Sequence, residues 1–73
     1  MYKPSKEAIE WLKKRFPVGT RIKLISMEDQ YNPVKPGTLG TVRAVDDMGT
    51  IHMNWDNGRT LGLIYDEDSF EVI

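Results

Sequence analysis

The sequence predicts a mostly β fold, with one N-terminal α-helix followed by a small barrel of five short strands. Three observations carry this reading. Apolar spacing is helical as far as Phe16 and alternates after Pro17. Five short apolar runs then follow, with turn-forming residues between them. The chain has 73 residues, which allows one domain with a small core. Strands this short and this regularly punctuated suit a small barrel better than an open sheet. The expected organisation is a single domain over residues 1–73, with the helix in 1–17 and the barrel in 18–73.

The helix is expected over residues 5–15. Ala8, Ile9, Leu12 and Phe16 follow the i, i+3/i+4 spacing, and Trp11 falls at the edge of that stripe. Lys6, Glu10, Lys13 and Lys14 lie on the other side. Pro4 or Ser5 suits the start, and Pro17 stops the helix because the residue before a proline avoids helical backbone. A helix of this length is marginal alone and needs a sheet to lie on.

The first strand, 20–26, puts Ile22 and Leu24 on one face and Arg21 and Lys23 on the other. Residues 27–37, rich in Pro, Asp, Asn and Gly, form a loop. In the second strand, 38–46, Val42 and Ala44 share a face, and Gly40 marks a bulge or a close backbone crossing. Asp46, Asp47 and Gly49 make a turn into a third strand, 50–55, with Ile51, Met53 and Trp55 on one face. A fourth strand covers 59–64, a polar turn 65–69, and a last strand 70–73 with Phe70 and Val72 on one face.

Register decides the hairpin between the third and fourth strands. A two-residue Asn57-Gly58 loop would pair Asp56 with Arg59 and split the apolar residues between two faces. A three-residue loop, Asp56-Asn57-Gly58, pairs Trp55 with Arg59, Met53 with Leu61 and Ile51 with Leu63. The apolar set then shares one face, and Gly58 takes the left-handed position of a glycine bulge. The three-residue loop is the expectation.

Composition narrows the chemistry. With no cysteine, disulfides, thiolate zinc sites and cysteine catalysis are excluded. No apolar run approaches the roughly 20 residues of a membrane span, and the charged start does not read as a signal peptide. A soluble, cytoplasmic protein is expected. His52 is the only histidine, and outward parity makes it a structural residue rather than a general base. One His is too few for a zinc site. The Asp-Asn-Gly stretch fails the calcium-loop pattern, and residues 36–40, PGTLG, lack the Lys-Ser/Thr of a phosphate loop. Asp46 with Asp47, and Asp66-Glu67-Asp68, read as solvated turns. No enzyme, metal or cofactor is expected.

Two candidate surfaces stand out. Glu28, Asp29, Tyr31 and Pro33 share one loop, and with Trp55 and Arg59 they form an aromatic, acidic rim suited to an extended peptide. Core packing alone also accounts for Trp55. The second surface is basic. Net charge is −1, yet the first 23 residues hold seven basic side chains against Glu7 and Glu10, a net of +5. The remainder holds three basic side chains against nine acids, a net of −6. Lys6, Lys13, Lys14 and Arg15 are the candidate contacts for an anionic partner, or simply a solvated helix flank.

Residues 21–27, RIKLISM, 36–42, PGTLGTV, and 55–59, WDNGR, carry a resemblance. Over residues 19–70 the chain resembles a domain-of-unknown-function family of small proteins from Gram-positive bacteria, their phages and mobile elements. The resemblance implies no catalytic or binding residue. At fold level the pattern is similar to SH3-like barrels, and the Gly40 strand is similar to that of KOW modules in transcription and ribosomal proteins. The chain departs from KOW modules in lacking a dense basic patch on its strands. The functional expectation is an interaction module for a protein or peptide partner, monomeric or weakly oligomeric. The alternative is a nucleic-acid-associated module using the basic N-terminal segment.

Overall fold

A computed structural model describes residues 4–29 and 31–73. Lys3, counted in the basic segment, and Gln30, in the 27–37 loop, lie outside the described residues. Helix α1 runs Lys6–Arg15. The Ser5 hydroxyl accepts the Ala8 N–H at 3.1 Å, satisfying one of the unpaired donors of the first turn. Ile9, Leu12 and the C-capping Phe16 are buried, as their spacing requires. Glu7 in the first turn and Lys13, Lys14 and Arg15 in the last oppose the helix macrodipole favourably at both ends.

Five strands follow: β1 (Arg21–Ser26), β2 (Leu39–Val45), β3 (Thr50–Trp55), β4 (Leu63–Ile64) and β5 (Ser69–Val72). They form one antiparallel sheet in the order β4-β3-β2-β1-β5. Ile22, Leu24, Val42, Ile51, Met53, Trp55 and Leu63 point to one side and meet Leu12 and Phe16 in the core. Val34, from the loop between β1 and β2, joins them at 1% exposure.

The five strands and the helix are as expected, but the sheet is open: no ladder links β4 to β5 to close it into a barrel. It must nevertheless curl. In a flat five-stranded sheet the outer strands would lie about 19 Å apart. Here they are joined by residues 65–68, a turn in which Glu67 and Asp68 N–H both donate to the Ile64 carbonyl. Such bonds hold chain ends within about 7 Å. Asp68 supplies what a ladder would. Its Oδ2 accepts the Ile64 N–H at 2.8 Å and its Oδ1 accepts the Glu28 N–H at 2.9 Å.

The three-residue hairpin loop is present. Trp55 N–H donates to the Arg59 carbonyl, Gly58 N–H donates to the Trp55 carbonyl, and Ile51 pairs with Leu63. Gly58 has φ +89°, the left-handed value the bulge requires. The fourth strand is much shorter than the expected 59–64. The Leu61 carbonyl, which a continuous ladder would offer to Met53, instead accepts the Trp55 indole N–H at 2.7 Å.

The second strand is also corrected. Its bulge falls at Arg43, between the Val42–Met53 and Ala44–His52 pairs. The extra residue shifts the side-chain phase by one. Ala44 is therefore exposed while Val45 packs against the core. Gly40 is needed for a different reason, because a Cβ there would lie 2.6 Å from the Trp55 ring. On β5, Phe70 packs against the core but Val72, at the open edge, is exposed.

Candidate interaction surface

The structure disperses the first predicted rim. Trp55 is 3% exposed and belongs to the core, so its ring does not present at a surface. Arg59 does not stack on a ligand face. Its guanidinium donates to the carbonyls of Asn32 at 2.6 Å and Pro33 at 3.1 Å, tying the long loop to the hairpin. Asp29 accepts the Tyr31 and Asn32 N–H groups, an Asx turn internal to the loop. Glu28 and Pro33 are exposed, and Tyr31 is 94% exposed at the tip. The loop is thus braced, with one unsupported aromatic.

Asp56, the first residue of the hairpin loop, reaches toward β1 rather than toward the long loop. Both of its oxygens accept from Arg21, at 2.9 and 2.7 Å, and Arg21 also donates to the Thr41 hydroxyl. The bidentate hydrogen bond with Arg21 lowers the Asp56 pKa and raises that of Arg21.

The His52 side chain points outward, as parity required, and its Nε2 lies 2.7 Å from Asp46 Oδ2. Asp46 is no solvated turn residue. Its Oδ1 also accepts the Met48 and Thr50 N–H groups, so one carboxylate organises the whole β2–β3 turn. Partial desolvation pushes its pKa up, but the hydrogen bonds from His52, Thr50 and Met48 outweigh this and leave it lowered. Among the described residues no three His, Cys, Asp or Glu side chains come together as a metal site would require.

The basic candidates are exposed; Lys6, Lys13 and Lys14 fall within about 100° of one another on the helix, while Arg15 points away from Lys6 and Lys13. Successive helical residues turn by about 100°, so Lys13 and Arg15 point about 160° apart. Lys13 reaches Asp47 at 3.8 Å, and Arg15 lies 6.0 Å from the Phe16 ring centroid.

An apolar concavity lies elsewhere, and the sequence reading missed it. A groove of about 330 Å³ runs between α1 and the β4–β5 turn, walled by Trp11, Leu12, Met48, Ile64 and Tyr65. Trp11, Met48 and Tyr65 are each close to half exposed, at 47, 50 and 43%. An edge-to-face contact holds Trp11 and Tyr65 at 5.1 Å, and Tyr65 continues to Phe16 at 5.9 Å. One end of the aromatic row is therefore anchored in the core while the other opens to solvent. Two further hollows, one of about 360 Å³ that also shares Met48 and Asp66 with the groove, adjoin it, and Ile64 lies in the wall of all three. The signal in the sequence was faint: Trp11 stands just off the helix stripe, and Tyr65 opens a run of acids.

Comparison with known proteins adds one finding. The profile of a family described as a domain of unknown function, DUF4314, matches residues 5–73. The chain belongs to the DUF4314 family. No curated protein and no solved structure matches it significantly. The match extends through α1, beyond the strand motifs at residues 19–70, so this DUF4314 domain includes the helix that forms one wall of the groove. No described helix of the DUF4314 chain is long and apolar enough to cross a membrane.

Proposed function

We propose that this DUF4314 domain is a non-enzymatic interaction module that docks a segment of a protein partner in the groove between α1 and the β4–β5 turn. The observation that carries the reading is the trio Trp11, Met48 and Tyr65. Three large apolar side chains are held half exposed around one concavity, whereas the other exposed apolar side chains, such as Val18, Ile25 and Tyr31, do not line it. Amphipathic aromatics and methionine are the residues that recur at adaptable binding surfaces.

The curled sheet is read here as an SH3-like barrel left open between β4 and β5. The setting follows the sequence resemblance: a soluble cytoplasmic protein of a Gram-positive bacterium, phage or mobile element, monomeric or weakly associated. A nucleic-acid partner is the second reading, favoured by the +5 opening segment. The turn of Arg15 away from Lys6 and Lys13, and the fit of Lys13, Lys14 and Arg15 to the helix dipole, weaken it.

The test is selection from a displayed library of random peptides, repeated on the Trp11→Ala variant. The expected result is a set of related peptides whose binding is lost with Trp11. A selection that yields no Trp11-dependent peptide rejects the reading. DNA and RNA of mixed sequence, tested at about 50 mM salt where phosphate contacts are strong, should not bind.

A further inference from the structure

The groove and the two hollows that share Ile64 with it carry only acidic charged side chains; the one basic lining residue nearby, Arg15, is on the far side of Tyr65. Asp66 borders the groove, and Glu28, Asp29, Glu67 and Asp68 border the hollows. No Lys or Arg lines any of the three. These acids are not equivalent. Asp68 and Asp29 are committed to backbone N–H groups. Glu28, Asp66 and Glu67 make no side-chain hydrogen bond or ion pair among the described residues. Among the described basic side chains, Arg21 and Arg59 are already paired, Lys23, Lys35 and Arg43 line none of the three, and the rest are on α1, where Arg15 lines the hollow beyond Tyr65.

The backbone limits how a ligand could bind. Ile64, at the edge of the sheet, has its N–H taken by Asp68 and its carbonyl taken by Glu67 and Asp68. That edge offers no ready ladder for an added strand, so recognition must come from side chains. An apolar trough flanked by three uncommitted carboxylates selects against acidic segments and for basic ones.

We infer that the occupant of the groove is a cationic segment of a protein partner, with an apolar or aromatic residue seated among Trp11, Met48 and Tyr65 and Lys or Arg side chains reaching Glu28, Asp66 and Glu67. This rests on the docking reading above and adds the chemistry of the partner. Apolar contact with the three large side chains supplies the anchor, and the carboxylates set the sign of the charge that flanks it. Because these carboxylates are exposed, their contribution is screened by salt.

The test uses the same displayed library and the full chain. Among Trp11-dependent peptides, those selected at about 50 mM salt should be enriched in Lys and Arg beside an apolar residue. One selected peptide, fluorescently labelled, is then titrated against the parent chain and against a Glu28→Gln/Asp66→Asn/Glu67→Gln variant. Affinity should fall about tenfold in the variant and fall likewise for the parent when salt is raised to about 300 mM. Amide spectra of the variant should match the parent away from the three sites, since all three side chains are exposed. Trp11-dependent peptides with no basic enrichment, or with affinity unchanged in the triple variant, overturn this inference while leaving the docking reading intact. A total absence of Trp11-dependent peptides removes both. A concentration-dependent dimer that the triple variant dissolves would assign the groove to the basic helix of a second copy instead, and would also overturn it.

Discussion

At the scale of single residues, the side chains that looked most suited to chemistry are those the fold uses for itself. Trp55 shows how. Its ring lies over Gly40, where no side chain fits, and its indole N–H holds the Leu61 carbonyl. One residue thereby dictates a glycine on β2 and ends the ladder of β4. Trp55→Ala should cost about 3–5 kcal/mol, the usual range for deleting a buried aromatic, enough to threaten so small a domain. Trp55→Phe keeps the packing but orphans the Leu61 carbonyl, so it should lose about 1 kcal/mol. Urea titrations of the two variants would measure this. A Trp55→Ala protein within about 0.5 kcal/mol of the parent, the range of ordinary surface changes, would show that the ring is not a core element.

At the scale of elements, legibility followed periodicity. The helix, β1 and β3 could be read because their spacing is regular and their ends carry caps, prolines or turn residues. The Asp56-Asn57-Gly58 loop was legible because only one register gathers Ile51, Met53, Trp55, Leu61 and Leu63 on one face. What could not be read depended on one group turning aside. A bulge at Arg43 inverts the end of β2, and an indole captures the Leu61 carbonyl. The groove was hidden for a related reason: Trp11, Met48, Ile64 and Tyr65 come from distant segments, and each stands outside a periodic run. The link between β4 and β5 was equally invisible, since Asp68 looked like one more solvated acid. Its carboxylate ties the β4–β5 turn, where the two edge strands lack a ladder, to Glu28, two residues past the end of β1. Asp68→Ala should leave the Ile64 and Glu28 N–H groups without their acceptor, at about 1 kcal/mol because both sites are near solvent. Hydrogen exchange should quicken selectively at these two amides, while Ile51 and Met53 in the sheet centre follow only the global change. Uniform quickening across the sheet would instead make Asp68 part of the global core.

At the scale of the whole molecule, charge is segregated: a basic helix, an acidic trough, and ion pairs that bind one element to another. Arg21 and Asp56 join β1 to the β3 hairpin, and Asp46 with His52 braces the β2–β3 turn. Both aspartates are held below the ordinary carboxylate pKa, Asp56 by Arg21 and Asp46 by His52 with the backbone donors Thr50 and Met48. The unfolded chain, with aspartate pKa values near about 3.9, therefore binds protons that the folded chain refuses over the interval below that value. Stability rises with pH wherever the unfolded state holds more protons. The contribution of the two carboxylates is thus fully present above about pH 5 and disappears as pH falls through their folded values. Urea midpoints measured from pH 7 down to about pH 2.5 should stay level and then drop in that window. In an Asp46→Asn/Asp56→Asn variant the neutral midpoint should be lower, because Arg21 loses its charged partner, but the acid-side drop should be shallower. The comparison of slopes is what decides. Each lost carboxylate removes one proton-linked difference between the two states, whatever the substitution does to packing. An acid slope as steep in the double variant as in the parent would place the acid sensitivity in other carboxylates, and would demote the Arg21–Asp56 and Asp46–His52 braces to contacts without linkage to folding.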